Sequence, residues 1–440
     1  MIRWHLGLKL VGGAARGVTT TIVGYLGVIS AAALTGKPDD TLIGYAALVG
    51  HSTRFAIMVP AHDEAAVIEQ ALRSFAALDY PSDLFDVHVV ADNCSDDTAA
   101  KARRAGATVH ERTDPLSPGK GPALNWLHDR LATHGYEVFV VVDADTSLDP
   151  QFLSAIETAF IEGAAAAQGF YGVRDPGAST AAGLRYAALA CRHHLRPLGR
   201  TALGGSCGLY GNGMAFSAAI LDGRRWSGHL TEDIEFQMEL LHDGHLVAYV
   251  PTARLEAEMP DTLNAATTQN ERWELGRLQM ARRYVPALAR DATHSDAAGR
   301  TVTGHTLCRA RLDAIFDHLV PPLSVTVALQ GLTTAASVVT WLYRRDRRSA
   351  LRLAVDTGGC AVLVAHVLAG LRFVEAPPAV YRALRGAPRM LLWKVRLWLR
   401  VLHSPRRVSW TRTIRNTTGT SGDTAGLESS ATTRPEQVAG

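Results

Sequence analysis

The sequence predicts an α/β domain of parallel βαβ units, set between terminal segments that form transmembrane or interfacial helices. Two observations carry this prediction. Short apolar runs alternate with longer helical patterns through the middle of the chain, which is typical of a parallel sheet with flanking helices. Uncharged stretches long enough to cross a membrane lie near both ends.

The composition agrees with a folded domain joined to a few membrane segments. The 440 residues are 47% hydrophobic and 20% charged, which excludes wholesale disorder. A mean hydropathy of +0.03 lies between a typical soluble enzyme and an all-helical transporter. The net charge of +3 argues against a nucleic-acid partner. The five cysteines include no CxxC pair, which excludes a disulfide scaffold and fits a reducing compartment.

Residues 1–53 are predicted to form the N-terminal membrane segment. Residues 17–36 contain no charged side chain, and these twenty residues suffice to cross a hydrocarbon core. Residues 41–53 are also uncharged but short for a span. A cleaved signal peptide ending near Ala31-Ala32-Ala33 is the alternative interpretation.

Three apolar runs in the middle region predict buried strands, each followed by a helical pattern. The predicted strands cover residues 55–59, 87–91 and 138–142, and Pro60 is expected to end the first. The predicted helices cover residues 65–78, 96–105 and 122–134. Ligands of such sheets lie beyond the carboxyl ends of the strands, so the residues after each strand are the candidate site.

Acidic residues follow all three predicted strands. Asp63 and Glu64 come after the first strand, Asp92 after the second, and Asp143 and Asp145 after the third. Carboxylates that meet in one crevice repel one another, and a divalent cation with a preference for oxygen ligands, Mg²⁺ or Mn²⁺, relieves this repulsion. A helix cap is the alternative role for Asp143.

Two further candidate site residues, Lys120 and Asp233, are considered together with the glycine-rich segments of the chain. The loop at residues 118–122 carries Lys120, and its amides and ammonium group could meet a diphosphate, although an ordinary turn is equally compatible. The glycines at 204–208 and 211–213 allow a backbone to approach a ligand closely. Asp233 opens a predicted helix and is either a general base or a capping acid.

An amide, a guanidinium and an indole side chain are spaced later in the chain so that they would lie on one face of a helix. Gln269, Arg272 and Trp273 stand at positions i, i+3 and i+4, so they share one face of a helix. Arginine pairs with phosphate oxygens and a flat aromatic face stacks on a sugar ring. The triple therefore suits a sugar diphosphate.

The C-terminal part predicts further membrane contact. A connecting segment is expected over residues 287–316, transmembrane segments over 317–373, a basic amphipathic interfacial helix over 374–416 and a disordered tail over 417–440. Residues 318–343 are uncharged, and 357–371 form a weaker candidate span. Residues 381–416 hold ten Lys or Arg and no Asp or Glu, which favours a helix on anionic membrane lipid over a nucleic-acid patch.

Taken in order, these motifs resemble the glycosyltransferase family 2 enzymes, most closely the membrane-embedded synthases of the cellulose, chitin and hyaluronan type. The motifs are Val59-Pro60-Ala61-His62-Asp63-Glu64, Ala91-Asp92-Asn93-Cys94-Ser95-Asp96-Asp97-Thr98, Gly119-Lys120-Gly121, Asp143-Ala144-Asp145, Thr231-Glu232-Asp233 and Gln269-Asn270-Glu271-Arg272-Trp273. The resemblance implies a GT-A fold over residues 54–286, Rossmann-like with a mixed, mainly parallel sheet and flanking helices.

The resemblance also implies a role for each matching residue. Asp233 would be the catalytic base, and Asp143 and Asp145 would hold Mg²⁺ or Mn²⁺. The implied substrate-binding residues are Pro60, Glu64, Asp92, Lys120, Glu232, Gln269, Arg272 and Trp273.

The implied activity is an inverting hexosyl transfer from a nucleotide-sugar donor, of the UDP-sugar type, to a carbohydrate or lipid-linked acceptor through a β-linkage. The expected location is the cell membrane with a cytoplasmic catalytic domain. The positive-inside rule places the basic cluster at 344–348 on the cytoplasmic side as well, and a single membrane crossing cannot satisfy both expectations. The alternatives are a sugar nucleotidyltransferase, a polyprenyl-phosphate sugar transferase, a glycosidase and an inactive carbohydrate-binding membrane protein.

Overall fold

The computed structural model describes residues 2–35, 50–229, 231–258, 267–293 and 304–403. The side chains of residues 2–11, 268, 269, 272, 293 and 401–403 lie outside this description. The predicted tail at 417–440, the end of the predicted basic helix and most of the uncharged stretch at 41–53 also lie outside the described residues.

Eight strands form one sheet in the order β3-β2-β1-β4-β7-β6-β8-β5. The strands are β1 Phe55–Ala61, β2 Phe85–Asp92, β3 Thr108–Arg112, β4 Val138–Val141, β5 Thr146–Leu148, β6 Ala166–Val173, β7 Met214–Ser217 and β8 Val247–Ala257. Strands β3, β2, β1 and β4 are parallel neighbours, and so are β6 and β8. Strand β7 pairs antiparallel with β4 and with β6, and β5 pairs antiparallel with β8. The predicted α/β fold with a mixed, mainly parallel sheet is confirmed.

Helices flank the sheet and extend from it. Those before the last strand are α1 Ile2–Thr35, α2 Ile68–Ala76, α3 Thr98–Arg104, α4 Lys120–Leu131, α5 Phe152–Ile161, α6 Thr180–Ala190, α7 Arg196–Ala202, α8 Ala218–Leu221 and α9 Glu232–His242. Those after it are α10 Thr267–Thr293, α11 Gly304–Leu319, α12 Leu323–Arg344, α13 Arg347–Phe373, α14 Pro378–Ala383 and α15 Ala387–His403. A π-helical turn, Cys191–Leu195, joins α6 to α7.

The alternation of side chains along β1 divides the core into two layers. Phe55, Ile57 and Val59 face a core that includes α2, α3 and α5. Ala56 and Met58 face a second core, which includes α4 and α9. Because both faces of the strand are covered, it consists almost wholly of apolar residues, as is typical of a central parallel strand.

The expectation that Pro60 ends the first strand is wrong, because β1 continues to Ala61. Pro60 pairs in register with Val90 of β2, but β4 reaches only as far as Val141, opposite Met58. The proline therefore lies beyond the end of one neighbouring strand, so its missing N–H interrupts no ladder with β4.

In the part of the chain that the structure describes, three helices are long and apolar enough to cross a membrane: Gly12–Thr35 within α1, Leu323–Arg344 and Arg347–Phe373. The first packs closely on the sheet domain, because a Cβ atom at Gly199 of α7 would lie 1.9 Å from the carbonyl oxygen of Ile29. Val23, Leu26 and Ile29 also pack against the start of α12 and the middle of α13. The glycine thus permits a candidate membrane helix and the sheet domain to share one packed interface.

The basic helix α15 docks on α10 rather than standing apart from the protein. Lys394 Nζ donates to Asn270 Oδ1 (2.6 Å) and lies 3.1 Å from Glu274 Oε1. Trp398 Nε1 donates to Glu274 Oε2 (3.1 Å). The other face of α15 is exposed and carries Arg389, Leu392, Arg396 and Leu399. One face of the predicted interfacial helix is therefore buried on the helix that carries the Gln-x-x-Arg-Trp sequence.

A charged cluster joins all three candidate membrane helices. Arg16 Nε of α1 lies 3.2 Å from Asp356 Oδ2 of α13, and Arg16 Nη2 donates to Ser337 Oγ of α12 (2.6 Å). Ser337 Oγ donates to the same carboxylate oxygen (2.5 Å), and the Asp356 side chain is only 2% exposed. Removing the arginine alone would leave a buried carboxylate without its counter-charge.

We predict that Arg16→Leu lowers the free energy of unfolding by about 3–5 kcal/mol, the usual cost of breaking a buried ion pair from one side. Arg16→Leu combined with Asp356→Leu should recover most of that loss, since no buried charge remains. The measurement is thermal unfolding of the purified chain in detergent. Equal melting temperatures for the wild type and the single variant would contradict the prediction.

Candidate active site

The candidate site lies where the chain reverses its direction across the sheet. From β1 the chain moves outward to β2 and β3, then returns to form β4 on the other side of β1. Ligands bind at such reversals because the loops after the two central strands diverge and leave a crevice. Asp143 and Asp145 follow β4 directly, at the edge of this crevice.

A buried asparagine fixes the loop that carries both aspartates. The backbone N–H of Asp143 donates to Asn212 Oδ1 (3.0 Å), and Asn212 Nδ2 donates to Thr146 Oγ1 (2.7 Å). Gln168 Nε2 donates to the carbonyl oxygen of Asn212 (2.8 Å). The position of the Asp143-Ala144-Asp145 segment is therefore set by a hydrogen-bonded network that reaches β6.

Lys120 connects this loop to the start of α9. Its ammonium group donates to the Asp143 carboxylate and to the carbonyl oxygen of Gly211. Gly211 has a φ of +77°, and a Cβ atom there would lie 3.4 Å from Asp233 Oδ2. Burial lowers the pKa of Lys120, but the carboxylates of Asp143 and Glu232 outweigh this and raise it, so Lys120 remains charged.

Glu232 and Asp233 are adjacent acids at the first turn of α9. Burial raises the pKa of Glu232 to about 7, and the charge of Asp233 adds to the shift. Burial also raises the pKa of Asp233, although the N–H of Ile234, which donates to Asp233 Oδ1 (2.8 Å), and the charge of Lys120 oppose this. A carboxylate with a raised pKa beside a crevice is suited to accept a proton.

The start of α9 is held from behind by α10. A Cβ atom at Gly276 would lie 2.4 Å from Thr231 Cγ2 and 2.7 Å from its Oγ1, so glycine alone permits this contact. Trp273 precedes Gly276 by less than one helical turn. The positions of Gln269 and Arg272 belong to the same helix, but their side chains lie outside the described part of the structure.

Asp92 lies at the end of β2, where its carboxylate already has protein partners. It is 5% exposed and forms an ion pair with the equally buried Arg112 of β3. Asn93 Nδ2 also donates to Asp92 Oδ1 (3.1 Å). Arg112 Nη2 also donates hydrogen bonds to Asp114 Oδ2 and to the Ser117 carbonyl oxygen, both at 2.8 Å, and so anchors the loop before Lys120.

Glu64 lies at the beginning of the turn that leads into α2. Its backbone N–H donates to Thr98 Oγ1 (2.7 Å), and its carbonyl oxygen accepts from Val67 and Ile68 (3.0 Å each). Pro60 lies within β1, four residues earlier along the chain. The binding roles predicted for Glu64, Pro60 and Asp92 therefore stay predictions.

The residues after β4 fit a divalent cation that takes part of its coordination from a ligand. Asp143 and Asp145 are half-exposed on either side of the buried Ala144, and Lys120 already supplies a positive charge to Asp143. Among the described residues, the group of three possible ligand atoms within 4.8 Å of one another is elsewhere, at Asp63, Cys94 and Asp96. A metal on Asp143 and Asp145 would therefore need oxygen atoms from the substrate.

The structure brings four of the predicted site residues together: Lys120, Asp143, Glu232 and Asp233. The residues that hold them were not predicted individually. Asn212 and Gly211 lie in a glycine-rich segment whose close approach to a ligand was expected, whereas Arg112 and Gly276 carried no sequence signal of their role.

Comparison with known proteins identifies the family. The family model described as "Glycosyltransferase like family 2" matches residues 52–276. The chain belongs to glycosyltransferase family 2. This confirms the family inferred from the ordered motifs, and with it the assignment as a glycosyltransferase. The more specific resemblance to polysaccharide synthases stays a prediction.

The curated relatives are distant and match only in part. A probable glycosyltransferase, YdaM, of Bacillus subtilis (strain 168) is 25% identical over 51% of this chain and 55% of its own length. A β-monoglucosyldiacylglycerol synthase of Synechocystis sp. is 28% identical over 51% of this chain and 47% of its own length. The chain thus spans about half the length of the curated relatives it matches.

The similar solved structures have still lower sequence identity to this chain. A mannosyltransferase of Pyrobaculum calidifontis, in complex with GDP-mannose and Mn²⁺, is 15% identical, with a TM-score of 0.45 over 80% of this chain and 99% of that one. A glucosyl-3-phosphoglycerate synthase of Mycobacterium tuberculosis, with Mn²⁺, UDP and phosphoglyceric acid, is 21% identical, with a TM-score of 0.38 over 54% of this chain and 81% of that one.

The contact between Gly276 and Thr231 yields a test of how α10 positions the site. Gly276→Ala forces the new methyl group into the threonine, so the start of α9 must shift, and we expect turnover to fall at least tenfold. The double variant Gly276→Ala, Thr231→Ala removes both clashing atoms and should restore most of the activity, since Thr231 Oγ1 has no hydrogen-bond partner among the described residues. Release of nucleoside diphosphate is the measurement. A single variant with wild-type turnover would show that the contact is unimportant.

Proposed function

We propose that this glycosyltransferase moves a sugar from a nucleoside-diphosphate donor, of the UDP-sugar type, to a carbohydrate or lipid-linked acceptor with inversion at the anomeric carbon. The observation that carries the proposal is the placement of Asp233, a buried acid with a raised pKa, beside Gly211 and Lys120 and hence close to Asp143. A proton acceptor and an anion-binding group thus lie on neighbouring walls of one crevice.

The reaction is a single displacement. Asp233 takes the proton from the acceptor hydroxyl as the oxygen forms a bond to the anomeric carbon, and the bond from that carbon to the diphosphate breaks. Attack from the face opposite the leaving group converts an α-linked donor into a β-linked product. Proximity supplies much of the rate, because donor and acceptor are held on one rigid frame.

The donor is proposed to lie across the ends of β1, β2 and β4, with Pro60, Glu64 and Asp92 near its nucleotide. Asp143 and Asp145 would hold Mg²⁺ or Mn²⁺ on the diphosphate, and the cation would neutralise the charge of the departing group. Lys120 would lie beside the same diphosphate. Burial raises the pKa of Asp233, which improves Asp233 as a base near neutral pH, and the charge of Asp233 together with burial raises the pKa of its neighbour Glu232 to about 7.

The acceptor is proposed to enter along α10, where Gln269, Arg272 and Trp273 lie on one helix whose Gly276 packs against Thr231. The three candidate spans would fix the protein in the cell membrane, with the exposed face of α15 against lipid. The catalytic domain is proposed to be cytoplasmic, where nucleotide sugars are found; the five cysteines are free thiols, as a reducing compartment requires.

Asp233→Asn tests the base directly. The amide keeps the shape of the side chain but cannot accept the proton, so kcat should fall about 10²–10⁴-fold while the donor KM changes little. Asp243→Asn, the same change on the exposed residue that ends α9, serves as the matched control. The measurement is sugar transfer from a panel of nucleotide sugars.

Near-normal turnover of the Asp233→Asn variant would overturn the assigned role. It would favour transfer to a polyprenyl phosphate, because a phosphate oxygen is already ionised and attacks without a base. Loss of transfer in both variants would indicate damage to α9 instead.

Metal dependence is the second test. Chelation with EDTA should abolish transfer, and added Mn²⁺ or Mg²⁺ should restore it. Asp143→Asn should raise the Mn²⁺ concentration needed for half-maximal binding in the presence of UDP by at least tenfold, measured by electron paramagnetic resonance of the ion. Asp129→Asn, on the exposed surface of α4, is the control. Full activity in metal-free buffer would contradict the proposal.

A further inference from the structure

Two guanidinium groups lie near each other on elements that border the segments around Asp233. Arg192 belongs to the π-helical turn, and Arg277 lies on α10, one turn after Trp273. Burial and the nearby charge of Arg192 lower the pKa of Arg277 to about 10. The charge of Arg192 also reaches Asp233, whose pKa it lowers against the effect of burial.

These two arginines lie at the boundary between the sheet domain and the candidate membrane helices. Arg277 Nη2 donates to the carbonyl oxygens of Asp317 (3.3 Å) and His318 (3.0 Å), at the end of α11. The candidate span α12 begins only five residues after His318, at Leu323. A ligand held here can therefore extend from the membrane surface toward Asp233.

The other charges of this region neutralise one another. Three ion pairs use the surrounding acids: Arg200 with Asp313, Arg196 with Asp317, and Lys394 with Glu274. Within the described part of the chain, the Arg192 guanidinium has no hydrogen bond or ion pair, and the side-chain hydrogen bonds of Arg277 go to carbonyl oxygens. Two cations of this region thus remain without a dedicated carboxylate partner.

A third polar side chain in the same place also lacks a partner. Both ring nitrogens of His318 are buried, and neither has a hydrogen-bond partner among the described residues. Burial lowers the pKa of His318 to about 4, so the ring is neutral at pH 7 and offers one N–H donor and one acceptor. Buried polar atoms are rarely left unsatisfied, so such a ring indicates a ligand or an ordered water.

The π-helical turn that carries Arg192 is held between Tyr210, which precedes Gly211, and the candidate membrane helix α13. Tyr210 donates from its hydroxyl to the Arg192 carbonyl oxygen (3.2 Å), and its ring stacks on His193 at 4.2 Å. Tyr210 directly precedes Gly211, which lies beside Asp233. On the other side, a Cβ atom at Gly370 of α13 would lie 2.9 Å from Cys191 Sγ. The backbone of Arg192 is therefore held in place, and π-helical turns are frequent at functional sites.

We propose that Arg192, Arg277 and His318 bind an anionic group of the acceptor, a phosphate, while the acceptor hydroxyl lies at Asp233. This inference rests on the proposed function and specifies its substrate: an amphiphile that carries a phosphate close to the hydroxyl that receives the sugar. Paired guanidinium groups match the oxygens of a phosphate, and a neutral imidazole completes the set of donors.

The same three residues are poorly placed for the diphosphate of the donor. That group is assigned to Asp143, Asp145 and Lys120, and Lys120 approaches Asp233 from the side of Gly211. Arg277 is bound to the end of α11, and its charge and that of Arg192 both act on the ring of His318 there. Asp233 then lies between two anions, each with its own cations, which suits a base that must take a proton from one molecule for attack on the other.

Binding of a soluble headgroup tests the inference without any turnover. The probes are sn-glycerol 3-phosphate and glycerol, titrated by calorimetry into the full chain in a non-ionic detergent. We expect the phosphate compound to bind at least tenfold more tightly than glycerol, and Arg192→Gln to remove at least tenfold of that affinity. Arg282→Gln, an exposed arginine on α10, removes the same charge and should leave the affinity unchanged.

The binding experiment has clear contrary outcomes. Equal affinity for the two probes would overturn the inference. So would an Arg192→Gln variant that binds glycerol phosphate normally but has lost affinity for UDP with Mn²⁺, because the arginine would then serve the donor. Arg192→Lys keeps the charge but not the planar fork, and should restore part of the affinity.

Transfer assays separate this inference from the proposed function. Nanodiscs of phosphatidylcholine would contain either phosphatidylglycerol or diacylglycerol as the hydroxyl-bearing lipid. We expect a lower acceptor KM for phosphatidylglycerol, and at least a tenfold rise in that KM for Arg192→Gln with little change in the donor KM. Transfer only to diacylglycerol would overturn the anionic acceptor yet leave the glycosyl transfer intact. If glycerol phosphate binds as expected but no nucleotide sugar is consumed with any acceptor, the proposed function fails instead.

Discussion

The contact of Lys120 with both Asp143 and Gly211 is the interaction on which the arrangement of the site depends. It links the loop after β4 to the glycine-rich segment that lies against Asp233. Three acids, Asp143, Glu232 and Asp233, lie around this lysine, and their mutual repulsion would separate the loops if no cation were present. The lysine supplies that charge from within the chain, so the crevice keeps its shape and the acids stay available for a ligand.

The candidate membrane helices also contribute to this arrangement. Gly199 allows α1 to cross α7 at backbone contact, and Gly370 allows α13 to press on the π-helical turn. Helix α10, which backs the start of α9 through Gly276, is itself covered by α15. Separating the sheet domain from the candidate membrane helices would therefore remove supports of the site, so the enzyme should be studied as the whole chain of residues 1–440 in detergent.

The sequence predicts best what depends on local composition. Strands β1 and β4, and residues 89–91 of β2, are apolar because both faces are buried, and acids follow or end these strands. Strand β3 is a polar edge strand, and the run from Ala166 to Val173 contains Gln168 and two glycines, so these strands have no clear hydrophobic signature. The pairing of Asp92 with Arg112 and the contact of Gly276 with Thr231 join residues far apart in the chain, and only the fold brings them together.

An asymmetry of charge around Asp233 distinguishes the two substrates. On the side of β4 the protein presents carboxylates with one lysine, an arrangement that attracts a metal ion and, with it, a diphosphate. On the side of α11 it presents two arginines and a neutral histidine, which attract an anion directly. A site with the same charges on both sides of Asp233 would allow the donor to bind in either place. In the proposed reaction one anion needs a metal and the other does not, so each substrate would have one favourable position and the acceptor hydroxyl would face Asp233.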